Sequence, residues 1–425
     1  MRVLSLASLL LTCILFAGCQ SLRSDKESAY DYTRTTEVVE GEVSEMAPDG
    51  VETVAYEDEV FESDDDEGFS IDKLTPQALG TSFSKAIGQG PNRDVAKRFL
   101  AEADGMYDAA AKLQASGSKA SEYKKEFRKA GDLYLTAAKR FPGSSIEQDA
   151  LFRAGESFFF ADNYDKANEA YENLIQKYGG SRLVDKAEAR RFAIAQYWAE
   201  LQEVSPDHLW SYNFTNPERP ARDTGGHARR VFNNIRLEDP TGKLADDATL
   251  ALGNAYFRNG SYIDAADTYE DLRKAYPGSQ HVFTASMLEI QSRLRAYRGP
   301  AYDGTGIEKA DRLMQSVVEQ FPEQVQAQRT AADELAAEIR YQLADREMYL
   351  ARLYDRRQEN RAARLYYGKV VSQYSDTILA EEAREKLAEL QGKPELPKQK
   401  LKWLVDALPD PKDQKPLFKD DLPRR

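Results

Sequence analysis

The stretch Asn254–Ser279, "NAYFRNGSYIDAADTYEDLRKAYPGS", contains the spacing that decides the fold. Ala265 is followed four residues later by Tyr269, and three residues after that by Leu272; Pro277 comes five residues further on. Offsets of four and three place the first three side chains on one face of a helix. The small residue allows a neighbouring helix to approach closely, and the proline ends the helix. The stretch therefore predicts a helix that packs tightly against a partner helix.

The same spacing occurs six times. The six sets, each of a small, a large, an apolar or small and a helix-ending residue, are Ala130, Tyr134, Ala137, Pro142; Ala167, Tyr171, Leu174, Gly179; Ala228, Phe232, Ile235, Pro240; Ala265, Tyr269, Leu272, Pro277; Ala310, Met314, Val317, Pro322; and Ala363, Tyr367, Val370, Ser375. In three of them another small residue lies twelve residues earlier, at Gly155, Gly253 and Ala351. Facing small residues on two consecutive helices are typical of the tetratricopeptide hairpin. The predicted fold is all-α: a tetratricopeptide-repeat superhelical solenoid of about six helical hairpins, over residues 93–391.

A loop insertion at about residues 203–225 interrupts the third repeat. It carries Trp210, Tyr212 and Phe214 among prolines and glycines. A long loop on a rigid scaffold is often a binding element, so these three residues are candidate partner contacts. The alternative is that the same rings fold back and fill the end of the repeats.

The repeat pattern stops near residue 391. Residues 392–425 form a tail rich in proline and lysine, with a short apolar segment around Trp403. This segment could dock on the last repeat or bind a partner, and the sequence leaves both open.

The N-terminal segment has the features of an export signal. Arg2 precedes an uncharged stretch, and the small residues Ala17 and Gly18 lead into Cys19. The stretch is shorter than the roughly 20 residues that a membrane-spanning helix needs. We interpret residues 1–18 as a bacterial lipoprotein signal peptide and Cys19 as the acylated residue. Gln20 and Ser21, which follow it, lack the acidic residue of an inner-membrane retention signal, so we expect a lipid-anchored outer-membrane protein. The alternative is a plain secretory signal with an incidental cysteine.

An acidic segment follows the signal. Between Glu37 and Glu67 there are fourteen Asp or Glu and no Lys or Arg, so the net charge of −13 leaves about +1 for the rest of the chain. We expect residues 19–92 to form a disordered acidic tether. A nucleic-acid-binding protein would need a basic surface, and this class is disfavoured. The run from Asp64 to Glu67 lacks the spaced oxygen ligands of a calcium loop.

Residues for covalent or metal chemistry are scarce. Cys13 would leave with the signal peptide, and the three histidines, His208, His227 and His281, have no metal-ligand spacing. The repeats also leave no room for a catalytic domain. We therefore predict a protein-binding scaffold that is not an enzyme and uses no cofactor or metal.

The first helix of each repeat predicts the binding surface. By position, the candidates that would line a concave groove are Phe152, Glu156, Phe159, Leu250, Asn254, Phe257, Met348, Arg352 and Asp355. Phe159 and Phe257 at such positions favour peptide partners. Burial of these rings under a neighbouring repeat or the long loop is the alternative.

One segment resembles a known family. The stretch Glu347–Leu390, "EMYLARLYDRRQENRAARLYYGKVVSQYSDTILAEEAREKLAEL", is similar to the last repeats of the BamD-type outer membrane protein assembly lipoproteins. "ALFRAGESFFFADNYDKANEAYENLIQKY", at residues 150–178, is similar to their early repeats in a more generic way. The acidic tether, the long loop, the tail and the sixth repeat depart from the family pattern.

The resemblance implies a periplasmic scaffold in the assembly and insertion of outer membrane β-barrel proteins. Early repeats would contact unfolded barrel segments, and late repeats would contact the outer membrane insertase. At the positions where the sequence matches the family pattern, the resemblance implies that the candidate insertase contacts are Arg352, Asp355, Arg356 and Arg357. The alternative is a tetratricopeptide lipoprotein that coordinates cell-division or cell-wall proteins in peptidoglycan synthesis, because repeat sequence specifies fold better than partner.

Overall fold

The computed structural model describes residues 91–206, 212–213 and 216–396, and positions 403 and 407. The signal peptide with Cys19, the tether and most of the tail lie outside the described residues. Residues 91–396 contain fourteen helices and, where described, no strand, so the all-α prediction is confirmed. In chain order the helices are α1 Arg93–Ala115, α2 Ala120–Arg140, α3 Ser145–Phe160, α4 Tyr164–Lys177, α5 Val184–Val204, α6 Thr224–Glu238, α7 Ala245–Arg258, α8 Tyr262–Ala275, α9 Val282–Ala296, α10 Thr305–Gln320, α11 Pro322–Ala327, α12 Arg329–Arg356, α13 Asn360–Gln373 and α14 Leu379–Leu390.

The six repeated sets fall on α2, α4, α6, α8, α10 and α13. In every set the first three side chains are buried, with Met314 the most exposed at 6%. Each of these helices ends two residues before the predicted helix-ending residue, as α8 does at Ala275 before Pro277. The core assignment and the helix ends predicted from the spacing are therefore confirmed.

The small residues of the first helices are needed because an aromatic ring of the second helix packs directly against them. A Cβ atom added at Gly155 would lie 2.4 Å from the ring of Tyr171, and one added at Gly253 would lie 2.4 Å from the ring of Tyr269. Such distances are far inside van der Waals contact, so a side chain at either position would force the ring or the helix to move. Glycine thus lets the two helices of the hairpin close on the tyrosine.

The turns inside the second, fourth and sixth hairpins share one backbone feature. Asp162, Gly260 and Gln358 have positive φ angles of 52°, 78° and 59°. Each of them lies five residues before the small residue of its second helix. This left-handed residue reverses the chain between the paired helices, a conformation that glycine adopts freely, aspartate less readily and glutamine least.

The described helices fall into two compact units. The first holds the described residues up to Ala296 together with Leu313–Ala331, and the second holds Tyr297–Arg312 and the described residues from Ala332 onward. In the first unit, each helix from α1 to α9 packs against the next one along the chain. In the second unit, α12, α13 and α14 share a core that includes Tyr367 and Leu390.

None of the helices in the described part of the chain has the length and apolar character that crossing a bilayer requires.

Candidate protein-binding surface

Three predicted groove residues lie on α3. Phe152 is half-buried, with its ring centre 6.0 Å from that of Tyr171. The Glu156 carboxylate accepts a 2.5 Å hydrogen bond from the Tyr171 hydroxyl and bonds of 2.9 and 3.0 Å from the guanidinium of Arg190 on α5. That guanidinium also lies over the ring of Phe159, 4.5 Å from its centre. Glu156 is thus bound within the repeats, whereas Phe152 and Phe159 keep part of their surface open.

The equivalent residues of α7 are more deeply buried. Leu250 is 4% exposed, and the Asn254 side-chain oxygen accepts a 2.7 Å hydrogen bond from the Tyr269 hydroxyl. Phe257 is 9% exposed, because the guanidinium of Arg295 on α9 covers its ring at 4.8 Å. This geometry favours the burial alternative for α7. A role of these residues in partner binding stays a prediction.

Two of the candidates on α12 hold the sixth repeat together. Met348 is fully buried in the core of the second unit. The guanidinium of Arg352 donates bonds of 2.7 and 2.9 Å to the carboxylate of Glu382 on α14. Arg352 therefore fixes the last helix against the repeat.

The other three α12 candidates lie at its C-terminal end. Asp355 is half-buried, and its main-chain oxygen accepts a bond from Gln358 in the turn. Arg356 and Arg357 are exposed, and within the described residues neither guanidinium has a hydrogen bond or ion pair. These two arginines form a free cationic site at the turn of the sixth hairpin, which we call the turn arginines.

The long insertion begins after α5 and ends before α6. Tyr212 is 54% exposed, and the guanidinium of Arg222 lies 5.7 Å from its ring centre. Trp210 and Phe214 lie outside the described residues. The contribution of all three aromatics to binding stays a prediction.

The C-terminal part of the insertion is fixed to α5 by Glu218. Its carboxylate accepts a 2.8 Å bond from the Tyr197 hydroxyl, and its main-chain oxygen accepts a 2.8 Å bond from the indole of Trp198. Trp198 itself is fully buried. The described part of the insertion therefore packs on the third repeat.

A row of half-buried aromatic rings crosses the first three repeats. Successive ring centres are 5.1–6.4 Å apart. The members of this aromatic row, in spatial order, are Tyr107, Phe160, Phe159, Tyr164 and Tyr197. Only Phe159 was predicted, because the other four lie outside the first-helix positions used for the prediction. Rings of this exposure provide an apolar surface on which a peptide can pack.

A small cleft lies between α5 and α7. It has a volume of about 40 Å³ and is lined in part by Gln196, Glu200, Asn254 and Arg258. This volume accommodates about one water molecule. The cleft is too small for a small-molecule ligand.

Charged residues buried inside the repeats were missed by the sequence analysis. Arg191 on α5 is fully buried and donates a 2.8 Å bond to Glu238, while Glu289 on α9 is 2% exposed and binds Arg273 and Arg293. The sequence does contain an indication of these buried charges. On α5 and α9 the polar residues are not gathered on one side, and a helix without a separate polar side packs against neighbours on all its faces.

Glu188 on α5 is the exception among these charges. It is 4% exposed, and within the described part of the chain one of its carboxylate oxygens has no hydrogen-bond partner. Burial, reinforced by the negative charges of Asp239 and Glu238, raises the pKa of this carboxyl to about 7, although Arg191 acts against the shift. Glu188 is thus a buried acid that changes charge near neutral pH.

No group of three or more metal-ligating side chains with suitable geometry occurs in the described residues.

Comparison with known families agrees with these observations. Residues 149–181, which span most of the second hairpin, match the tetratricopeptide repeat family. Residues 216–401 match the outer membrane lipoprotein family YfiO. The predicted resemblance to the BamD-type lipoproteins is confirmed. The match begins at the end of the long insertion, so it includes α6 to α11, which the sequence analysis had assigned only to generic repeats.

Similarity to individual proteins adds little. No curated protein matches the chain. A crystal structure of the C-terminal part of a tetratricopeptide repeat-containing protein from Cytophaga hutchinsonii is 10% identical, covers 69% of this chain and 99% of its own, and has a TM-score of 0.27. At that score it carries no argument about this protein.

Proposed function

We propose that the protein is an outer-membrane-anchored periplasmic scaffold that binds protein partners in the assembly and insertion of outer membrane β-barrel proteins. The observation that carries the proposal is the match of residues 216–401 to an outer membrane lipoprotein family. It is supported by a described fold made of repeats that bind proteins elsewhere.

The late repeats are proposed to contact the insertase through the turn arginines. Arg356 and Arg357 are exposed and have no partner in the described residues, whereas the neighbouring Arg352 is bound to Glu382. Guanidinium groups without a partner in the described residues can form bidentate bonds with carboxylates of another protein. The proposed partner surface is therefore acidic.

The early repeats are proposed to contact unfolded barrel segments through the aromatic row. Its five rings are half-buried and follow one another across three repeats. Membrane β-strands alternate apolar and polar side chains, so an extended strand can place every second side chain on such a row. Aromatic residues are also the commonest anchors of protein interfaces.

The anchor in this proposal is an acyl group on Cys19. Several acyl chains on one residue would hold the protein firmly, whereas a single chain binds membranes only marginally. Metabolic labelling with a radioactive fatty acid tests this part separately: label should enter the wild type and not Cys19→Ser. Equal labelling of both would contradict it.

Affinity capture from gently solubilised envelopes tests the function. We expect wild-type protein to recover a barrel-forming insertase, and Arg356→Glu/Arg357→Glu to lose at least nine-tenths of it. The matched control, Lys186→Glu/Lys243→Glu, reverses two exposed charges on the first unit and should capture as much as the wild type. Recovery of cell-wall enzymes without an insertase would favour the alternative scaffold.

A further inference from the structure

The second helix of the first hairpin has an exposed basic face. Lys125, Arg128, Lys129 and Lys139 on α2 are exposed. They follow one another at helical spacings that put them on one side of the helix. The same side also carries two exposed carboxylates, Glu122 and Asp132, and Asp132 is already paired with Lys166 of α4 at 3.0 Å. We call these four cations the α2 basic face.

Little in the described chain occupies this face. Lys125 and Lys139 have no ion pair in the described residues, and Lys129 has only the exposed contact of 2.7 Å with Glu126. Arg128 donates a long bond of 3.3 Å to the main-chain oxygen of Lys124. Exposed pairs of this kind contribute little free energy, so the face can bind other carboxylates.

The position of the α2 basic face in the fold indicates which segment could bind it. The main-chain N–H of Asn92 donates a 2.7 Å bond to the main-chain oxygen of Arg140, so the described chain begins beside the C-terminal end of α2. The acidic stretch Glu37–Glu67, with its fourteen carboxylates and no cation, ends about 24 residues before that point. A random coil of about 24 residues spans roughly 25–30 Å, and a helix of the length of α2 is about 30 Å long. Every part of the face is therefore within reach.

We propose that the acidic stretch Glu37–Glu67 binds the α2 basic face of the same chain. Tethering places the carboxylates at a local concentration on the order of millimolar, which favours them over free anions. The attraction acts between exposed charges, so salt screens it over a Debye length of about 8–10 Å. The consequence is that the segment between the anchor and the repeats is shorter than its number of residues implies, and lengthens as ionic strength rises.

Zero-length carbodiimide cross-linking of the full mature chain, followed by mass spectrometry, tests this proposal. A 1:1 mixture of isotope-labelled and unlabelled protein separates links within one chain from links between chains. We expect Lys125, Lys129 and Lys139 to form within-chain links to residues 37–67 at least fivefold more often than the exposed control lysines Lys186 and Lys243. Sodium chloride at 0.5 M should reduce these links at least threefold.

A variant separates this contact from chance proximity. Asp64→Asn, Asp65→Asn, Asp66→Asn and Glu67→Gln together remove four carboxylates outside the described repeats, so folding of the repeats should be unchanged. We expect links from the remaining carboxylates to the α2 lysines to fall at least twofold.

Two results would overturn the proposal. One is an equal distribution of links over α2 and control lysines at low salt. The other is that vesicles containing anionic lipid protect the α2 lysines while no link to residues 37–67 forms in their absence, since the face would then bind lipid headgroups.

Discussion

Helices α5 and α9 are the first helices of the third and fifth hairpins, and each contains a buried glutamate, but the two glutamates have opposite surroundings. Glu289 on α9 is fully paired: one carboxylate oxygen accepts from Arg273 at 2.6 and 2.8 Å, and the other from Arg293 at 2.7 and 2.9 Å. Glu188 on α5 is similarly buried, but within the described residues one of its oxygens has no hydrogen-bond partner, and three acidic residues, Asp239, Glu238 and Asp185, raise its pKa. The buried negative charge is therefore compensated at Glu289 and is a source of pH sensitivity at Glu188.

The difference arises from the neighbouring second helices. Around Glu289, α8 supplies Arg273 and α9 itself supplies Arg293 four residues along. Around Glu188, the end of α6 supplies Glu238, and Arg191 is shared with that same carboxylate. A single arginine cannot balance the negative charges of several carboxylates. Protonation of Glu188 removes one of these negative charges and so lowers the repulsion between them.

The largest effect is expected from Glu289→Ala. Removing the carboxylate takes the partner from Arg273 and one of two counter-charges from Arg293, which is 8% exposed and keeps Glu270 at 2.7 Å. Breaking a buried pair costs most when a charge is left without any partner, so we expect a loss of about 3 kcal/mol, which urea unfolding at pH 7 will measure. The matched control, Glu188→Ala, removes no paired carboxylate and should cost clearly less. Equal losses for the two variants would remove the contrast between α5 and α9.

An effect of opposite sign is expected from Glu188→Gln. The pKa of Glu188 is about 7 in the folded chain against an ordinary value of 4.5, so the proton on this group stabilises the fold. That stabilisation is complete below about pH 4.5 and is lost as the pH rises through about 7. At pH 8 the variant should be more stable than the wild type by roughly 1–3 kcal/mol. Unfolding curves at pH 4, 6 and 8 will check this, and a difference that does not change with pH would contradict it.

The smallest effect concerns the start of α9. The ring of His281, the residue just before this helix, lies 2.6 Å from the carboxylate of Asp247 on α7, and this bond raises the pKa of the histidine. The ion pair stabilises the fold fully below about pH 6.5, and its contribution is lost as the pH rises through the raised pKa. His281→Gln should cost about 0.5–1 kcal/mol at pH 5.5 and almost nothing at pH 9. Thermal melts at both pH values measure this difference.

Melts of the wild type and both variants at pH 5 and pH 8 separate the contributions of Glu188 and His281. Both groups lose a stabilising proton as the pH rises, whereas burial lowers the pKa of His227, whose contribution has the opposite sign. Because the pKa shift of Glu188 is large, the wild type should be less stable at pH 8 than at pH 5. Glu188→Gln should remove most of that slope and His281→Gln a smaller part. An unchanged slope in both variants would place the titrating groups elsewhere.

The repeat cores could be predicted because their residues follow a period. Tyr171 and Tyr269 recur at fixed offsets from small residues, and a helical period of 3.6 converts those offsets directly into a buried face. The binding surface was less predictable, since Leu250 and Phe257 occupy groove positions yet are buried. What covers Phe257 is Arg295 from the next repeat. The spacing of residues within one helix cannot predict a contact with a residue of another repeat.

The buried charges could not be predicted for a related reason. Arg190 and Glu156 are 34 residues apart in the sequence, and their pairing depends on how two hairpins stack. A sequence shows only that both are charged, and most charged residues on helices are exposed.

The turn arginines were identified through the similarity of the sequence to a known family. The structure adds that Arg352 has a partner, whereas Arg356 and Arg357 have none in the described residues.

Quantitative proteomics of the outer membrane during depletion of the protein tests the central claim most directly. A scaffold in barrel assembly should, when depleted, lower many different β-barrel proteins together, severalfold and before growth stops. Re-expression of the wild type should restore them, whereas Arg356→Glu/Arg357→Glu should not. Unchanged barrel levels with an altered cell shape would contradict the account and favour a role in coordinating the cell wall.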